Sequence, residues 1–371
     1  MQITVAAQAL LEGLNNVTRA LAARPSKPVL EGVLLDADND VIQLTCTDGC
    51  LTIRTQVEGQ VEREGQIVLP GKLFTELVRK LPGGMVSINV NEKMIASIKC
   101  LSSRTTLAGM SPVDFPVMTR LEAGSAIQMP QKKLKEMISR VVFAIATDES
   151  RQILTGCLLE VTASEARLVA LDGFRLALQK FHNAFTLPEG AEQLQAVIPG
   201  KVLSELSKIM ADSEELVTLT LDKSRLMASF DKTQLSSVLL AGEYINYKQI
   251  LPSDWQSRIK VRKSELADAI DRASLMAREG KNNLIRMHID ENALSITSNA
   301  ELGDVREDLE AALEGKGLDI AFNARYLSDV IRNISEDELC MRFNSNVSPC
   351  VICPPEGDQY VYLVLPVRVF N

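Results

Sequence analysis

Along most of this 371-residue chain, apolar and polar positions alternate with the period of two that marks half-buried strands. Helical spacing interrupts the alternation. Three of the helical stretches are versions of one another: Pro70–Arg79, Pro199–Lys208 and Asn323–Arg332, spaced by 129 and 124 residues. Each follows a short apolar run and a turn residue, then reads small, basic, apolar, apolar, hydroxyl, acid, apolar, with a second cation seven places after the first. In the first copy Phe74, Leu77, Val78 and Leu81 share one face. A second helix opens each repeat, with stripes Leu10, Leu14, Val17, Leu21, then Leu134, Ile138, Val141, Ile145, then Leu266, Ile270, Ala273, Ala277. The first of these is expected from Ala7 to about Ala22. The chain is therefore one unit written three times. Each repeat orders as β-α-β-β-β followed by β-α-β-β-β, two similar halves with helices packed on sheets, and the fold class is α+β.

Short signals fix the turns. Thr47-Asp48-Gly49 and Leu171-Asp172-Gly173 lie between alternating apolar runs, where glycine takes positive φ without a steric cost. The third repeat has Asn299-Ala300 near this place and continues into an acidic stretch, Glu301 to Glu310. Joins rich in proline, aromatic and polar residues run from Met110 to Ala126 and from Gly242 to Ser257.

Charge changes the picture more than composition does. The net charge is −8, which at first sight argues against nucleic acid. Yet Lys72 with Arg79, Lys201 with Lys208, and Arg325 with Arg332 each lie opposite the apolar stripe of their helix. The opening helices add Lys132, Lys133, Lys135 and Arg140 in the second repeat and Arg272 in the third, where the first has Asn16. A solvated charged face is the ordinary reading of such residues, but cations recurring at matching positions in three copies point to one shared surface. Apolar content of 46% and charged content of 24% describe a globular chain, no apolar run approaches a membrane span, and the start reads as a strand and not a signal peptide. Cytoplasmic localisation is expected. Seven cysteines, mostly inside apolar runs, suit reduced core thiols.

Reactive groups do not converge. His182 is expected in a loop after a strand and His288 in the alternating run Ile285 to Ile289, both structural. Cys350 and Cys353 have the spacing of a redox or zinc pair but lack a second pair or histidines, and Gly71-Lys72 and Gly200-Lys201 lack the rest of a phosphate loop. Glu336-Asp337-Glu338 reads as a solvated turn. Neither an enzyme nor a metal or cofactor is expected.

Asp172-Gly173-Phe174-Arg175-Leu176-Ala177, the triplicated helices and Tyr362-Leu363-Val364-Leu365-Pro366-Val367-Arg368 together resemble the bacterial DNA polymerase III β subunit family, the sliding clamps. The resemblance covers the whole chain. It implies three clamp domains, 1–124, 125–253 and 254–371, and a head-to-tail homodimer closed around duplex DNA. Six helices packed at about 10 Å would leave an opening of roughly 9 Å, and twelve roughly 28 Å, so two chains admit a duplex and one does not. The DNA surface, read without regard to sequence, would comprise Arg24, Lys72, Arg79, Lys132, Lys133, Arg140, Lys201, Lys208, Arg272, Arg325 and Arg332, with Arg24 carried over from the family. A pocket for short clamp-binding peptides of the polymerase III α subunit, clamp loader, other polymerases and repair proteins would comprise Leu154, Leu171, Gly173, Arg175, Leu176, Ile245, Gln249, Ile250, Leu363, Leu365, Pro366, Val367 and Arg368. The chain departs from the family pattern in carrying Leu171, Phe174 and Ile245 where threonine, histidine and proline are common. The dimer seam would join Arg104 and Leu107 to Leu275, Met276, Glu307 and Asp308. The rival reading is a repeat-built interaction scaffold that does not bind DNA.

Overall fold

The computed structural model describes residues 1–118, 121, 124–187, 192–280 and 282–368. Six α-helices stand among them: α1 (Ala7–Val17), α2 (Gly71–Arg79), α3 (Gln131–Ser139), α4 (Gly200–Ile209), α5 (Lys263–Glu279) and α6 (Ala324–Arg332). Strands supply the rest, in four antiparallel sheets, and the order within each repeat follows the doubled β-α-β-β-β pattern. A short extra strand is added in the first repeat (Gly59–Arg63) and in the third (Ala312–Gly315).

Packing divides the chain differently from the repeats. One compact unit is Met1–Lys132 with Lys208–Leu239, and the other is Lys133–Ser207 with Leu240–Asn371. In the first, Thr233–Val238 pairs with Leu51–Val57, with Thr233 opposite Thr55 and Leu235 opposite Ile53, so strands of two repeats form one eight-stranded sheet. A five-stranded sheet completes this unit and ends on Ser103–Ala108. In the second unit Tyr360–Val364 pairs with Arg175–His182, with Tyr360 opposite Gln179, giving a nine-stranded sheet. Its companion is a four-stranded sheet ending on Gly303–Glu310.

Local chemistry explains the helix starts. Gly71 and Gly200 open α2 and α4 where a Cβ would stand 3.0 Å from the carbonyl oxygens of Glu31 and Thr155, so a small residue is favoured there. In α6 the buried Ala324 takes this place, and the Asn323 side chain accepts a hydrogen bond from the Arg325 N–H at 3.0 Å. Buried Phe74 and Val78, then Val202, Leu203 and Leu206, then Leu327, Val330 and Ile331 anchor the three helices along the expected stripe. The expected turns form as well: Gly49 and Gly173 have φ of 96° and 93°, and Asp48 and Asp172 each accept two backbone N–H bonds.

Two expectations shift. The first helix stops at Val17 and not near Ala22, because the Thr18 hydroxyl bonds back to the Leu14 carbonyl at 2.7 Å and the chain tightens into a 3-10 turn, Thr18–Ala20. His182 closes the strand Arg175–His182 instead of sitting in a loop, tied to Asp358 at 2.8 Å. Six of the seven cysteines are buried, in keeping with thiols that lie mostly inside apolar runs, and Cys50 is exposed at the Asp48-Gly49 turn.

Candidate functional site

The helix cations occupy two kinds of environment. Lys72 and Arg79, Lys201 and Lys208, and Arg325 and Arg332 are all exposed, each pair on the side of its helix away from the buried stripe. Seven residues is two helical turns, so each pair presents charge along one line. Arg24 and Lys132 are exposed too. Several cations already hold a carboxylate. Arg79 pairs with Glu76 and donates to Asn15 at 3.2 Å, Arg332 donates to both oxygens of Asp271 at 3.0 and 3.2 Å, and Lys133 meets Glu136 at 2.8 Å.

Two arginines depart from expectation. Arg140 is buried, with its guanidinium on Glu136 at 2.9 Å and bonded to Ser335. The α3 wheel points it outward, and its N–H still bonds the Glu136 carbonyl at 3.1 Å as in a helix, but Ser335, Glu336 and the Tyr360 ring cover that side. Arg272 is exposed and grips Glu307 through two parallel bonds, Nε to Oε1 at 2.8 Å and Nη2 to Oε2 at 2.6 Å. That hydrogen bond holds the Glu307 carboxyl below its ordinary range. A residue expected at DNA and one expected at the dimer seam are thus paired within one chain.

The pocket residues resolve into a wall, a brace and a rim. Leu154, Leu171, Leu176 and Leu363 join Leu158, Val169, Leu178, Val197 and Tyr247 in one apolar cluster, and Leu365 packs partly buried against it. Sequence reasoning missed Tyr247, together with Ile153, Leu240, Tyr244, Leu251 and Val361 around the cluster. The spacing of Tyr244, Tyr247 and Leu251 at i, i+3 and i+7 was the signal that could have found part of it. Burial and a hydrogen bond to Glu160 push the Tyr247 phenol above its ordinary value, so it stays protonated. Ile245, Gln249, Ile250 and Arg368 are exposed and lie outside the cluster. The tail is pinned from both sides, Leu365 N–H to the Phe174 carbonyl at 2.9 Å and Val367 N–H to that of Ala321 at 2.8 Å.

Arg175 is the brace. It is 9% exposed, and Nε donates to Asp172 at 3.0 Å, Nη1 to Asp329 at 2.5 Å and Nη2 to the Phe143 carbonyl at 2.6 Å. Its guanidinium also lies over the Phe143 and Tyr326 rings at 5.3 and 4.9 Å, and Phe174 stacks on Tyr326 at 5.6 Å. Arg175 was expected as a polar group offered to a ligand; it is instead spent in holding the Asp172–Phe174 turn to α6.

The seam residues sit at exposed sheet edges or on α5. Arg104 and Leu107 belong to the edge strand Ser103–Ala108, and Glu307 and Asp308 to the edge strand Gly303–Glu310. Leu275 is 56% exposed on α5, beside half-buried Met276.

Two halves per repeat, antiparallel sheets and paired helices define an α+β protein of three β-clamp domains. Family models described as the DNA polymerase III beta subunit N-terminal, central and C-terminal domains match residues 1–119, 128–246 and 248–368. The chain is 32% identical to the beta sliding clamp of Staphylococcus epidermidis and 31% identical to that of Staphylococcus aureus, covering all of both chains in each case. It superposes on the DNA polymerase sliding clamp of Bacillus subtilis with a TM-score of 0.95 at 33% identity, again over both whole chains. A putative DNA polymerase III beta subunit from Eubacterium rectale gives a TM-score of 0.94 at 33% identity. The chain belongs to the DNA polymerase III β subunit family: it is a β sliding clamp, a non-catalytic processivity factor.

Removing the Arg175 side chain should be far costlier than removing that of Arg272. Arg175→Ala strands buried polar partners and should lower stability by about 3–5 kcal/mol. Arg272→Ala breaks an exposed, solvent-screened pair and should leave stability nearly unchanged. Thermal or denaturant unfolding of the two variants side by side checks the contrast.

Proposed function

We propose that two copies of this chain close head to tail into a ring around duplex DNA and tether DNA polymerase III and other peptide-bearing partners to it. The proposed domains are 1–124, 125–253 and 254–371, and the working compartment is the cytoplasm; among the described residues no helix is long and apolar enough to cross a membrane. The observation that carries the reading is the recurrence of exposed cation pairs at one position of α2, α4 and α6. Phosphate contacts of this kind ignore sequence and let the ring slide. The proposed DNA surface comprises Arg24, Lys72, Arg79, Lys132, Lys133, Lys201, Lys208, Arg272, Arg325 and Arg332, and Arg140 serves it from behind by fixing Glu136.

The head-to-tail seam is supported by symmetry within the chain. One junction joins Thr233–Val238 to Leu51–Val57 and another joins Tyr360–Val364 to Arg175–His182. Each pairs the last strand of one half-repeat with the third sheet strand of another. The two strands that hold these positions a third time, Ser103–Ala108 and Gly303–Glu310, are sheet edges. An unpaired edge is a template for a strand from another chain. Carrying over the register that sets Thr233 opposite Thr55 places Ser103 of one copy opposite Glu307 of the next, with Leu107 near Gly303. Leu275 and Met276 would cover the same seam. Pairing with a neighbour's edge then closes the ring.

The apolar cluster around Leu171, Leu176 and Leu363, rimmed by the pinned tail, suits a short peptide with apolar anchors. The polymerase α subunit, the clamp loader and repair polymerases would compete for it.

Four outcomes are expected. Loaded by a clamp loader, the protein should remain on circular duplex and escape from linear ends; equal retention on both would overturn encirclement. Replacing Lys72 and Arg325 by alanine should weaken binding to short duplexes and cut the slope of log K against log salt by about 0.9 per lost contact. A Ser103→Cys, Glu307→Cys double variant should give a covalent dimer on mild oxidation, whereas either single variant should not. Deleting 365–371 should abolish partner-peptide binding while sedimentation still reports the dimer.

A further inference from the structure

The C-x-x-C spacing at Cys350 and Cys353 does not make a pair. Three residues apart on the strand Cys350–Cys353, the two side chains point to opposite faces. The neighbour of Cys353 is Cys340, which stands directly opposite it on the antiparallel strand Glu338–Phe343, on the same face of the sheet. Directly opposed Cα atoms lie about 4.5–5.5 Å apart, inside the roughly 4.4–6.8 Å that a disulfide spans. Both thiols are free, Cys340 fully buried and Cys353 5% exposed.

Cations stand beside this pair. Arg258 lies opposite Arg342 on the adjoining strand pair, on the face that carries Cys340. Arg258 Nη2 donates to the Cys340 sulfur at 3.2 Å and to the Pro355 carbonyl at 3.3 Å. The Nε of each arginine is buried with no hydrogen-bond partner among the described residues. Burial holds the Cys353 thiol above its ordinary value, and the Arg342 and Arg258 guanidiniums offset part of that rise. Cys353 leads into Pro354 and Pro355, which line a groove of about 560 Å³, so the chain next to the thiol borders open space. No cluster of three or more His, Cys, Asp or Glu among the described residues could hold a metal.

We propose that Cys340 and Cys353 are a reversible redox pair that a peroxide oxidises to an intrachain disulfide. The Cys353 sulfur attacks a peroxide oxygen, the O–O bond breaks, and sulfenic acid and one water form. The Cys340 sulfur then attacks the sulfenic sulfur: the S–S bond forms, the S–O bond breaks, and hydroxyl leaves with the Cys340 proton as a second water. Two thiols lose two electrons and hydrogen peroxide gains them. The bond would stitch Glu338–Phe343 to Cys350–Cys353, the strand that pairs with Leu363-bearing Tyr360–Val364.

Peptide mapping of the full chain under non-reducing conditions, after hydrogen peroxide and alkylation, tests this. A peptide linking Cys340 to Cys353 should rise with peroxide, vanish on adding dithiothreitol and persist in Cys350→Ser. In Cys340→Ser the link should be lost and a sulfenic acid trapped at Cys353. Three results would overturn the proposal: a Cys350–Cys353 link, sulfinic acid at Cys353 without any link, or both thiols unmodified while the exposed Cys50 is consumed. The wild-type map decides alone if the serine variants fail to fold.

Discussion

A strand at the border of a sheet presents backbone N–H and C=O groups that need partners, and the architecture of this clamp follows from how that need is met. Repeats are welded to one another through strand pairing and not through loops. Thr55 and Thr233 share a hydroxyl hydrogen bond at 2.8 Å, both buried, at one end of the first weld. At the second weld, Tyr360 and Tyr362 stack at 5.0 Å beside Gln179 and Ala177. Sheets of eight and nine strands result, and a repeat ceases to be the unit of packing. Each helix then rests on a broad floor, which frees its far side for charge.

That division of labour sets exposed cation pairs on helices of a chain whose net charge is −8. The edge strand Gly303–Glu310 carries four acids against one arginine, while α2, α3, α4 and α6 each carry more cations than acids. The peptide cluster and α6 are meanwhile parts of one construction. Arg175 bonds Asp329 in the middle of α6, and Phe174 stacks on Tyr326 one turn earlier. The helix offering Arg325 and Arg332 thus also sets the position of the turn between Leu171 and Leu176.

What could be read beforehand was whatever repeats or is local. The three-fold period, the helix stripes and the Asp-Gly turns each depend on residues within a few positions, and they survive into the structure with small changes at the ends. The third Asx turn, Asp222 accepting from Ser224 and Arg225 at 2.7 Å, carries no glycine and escaped notice. Arg140 and Arg175 differ from their expected roles for one reason: Ser335 lies 195 residues from the first and Asp329 154 from the second, and no local pattern encodes such distances. The apolar wall was legible through the family motif, whereas Tyr244 and Tyr247 arrive from a join that looked like a linker.

The carboxylates beside the helix cations have a kinetic meaning. Glu76, Asp271 and Glu307 act as tethered counterions for Arg79, Arg332 and Arg272. On the proposed DNA surface, an arginine approached by a phosphate would swap one anion for another, and the carboxylate would take it back when the phosphate departs. Neither state would leave the guanidinium bare, so hopping from one phosphate to the next would cross low barriers.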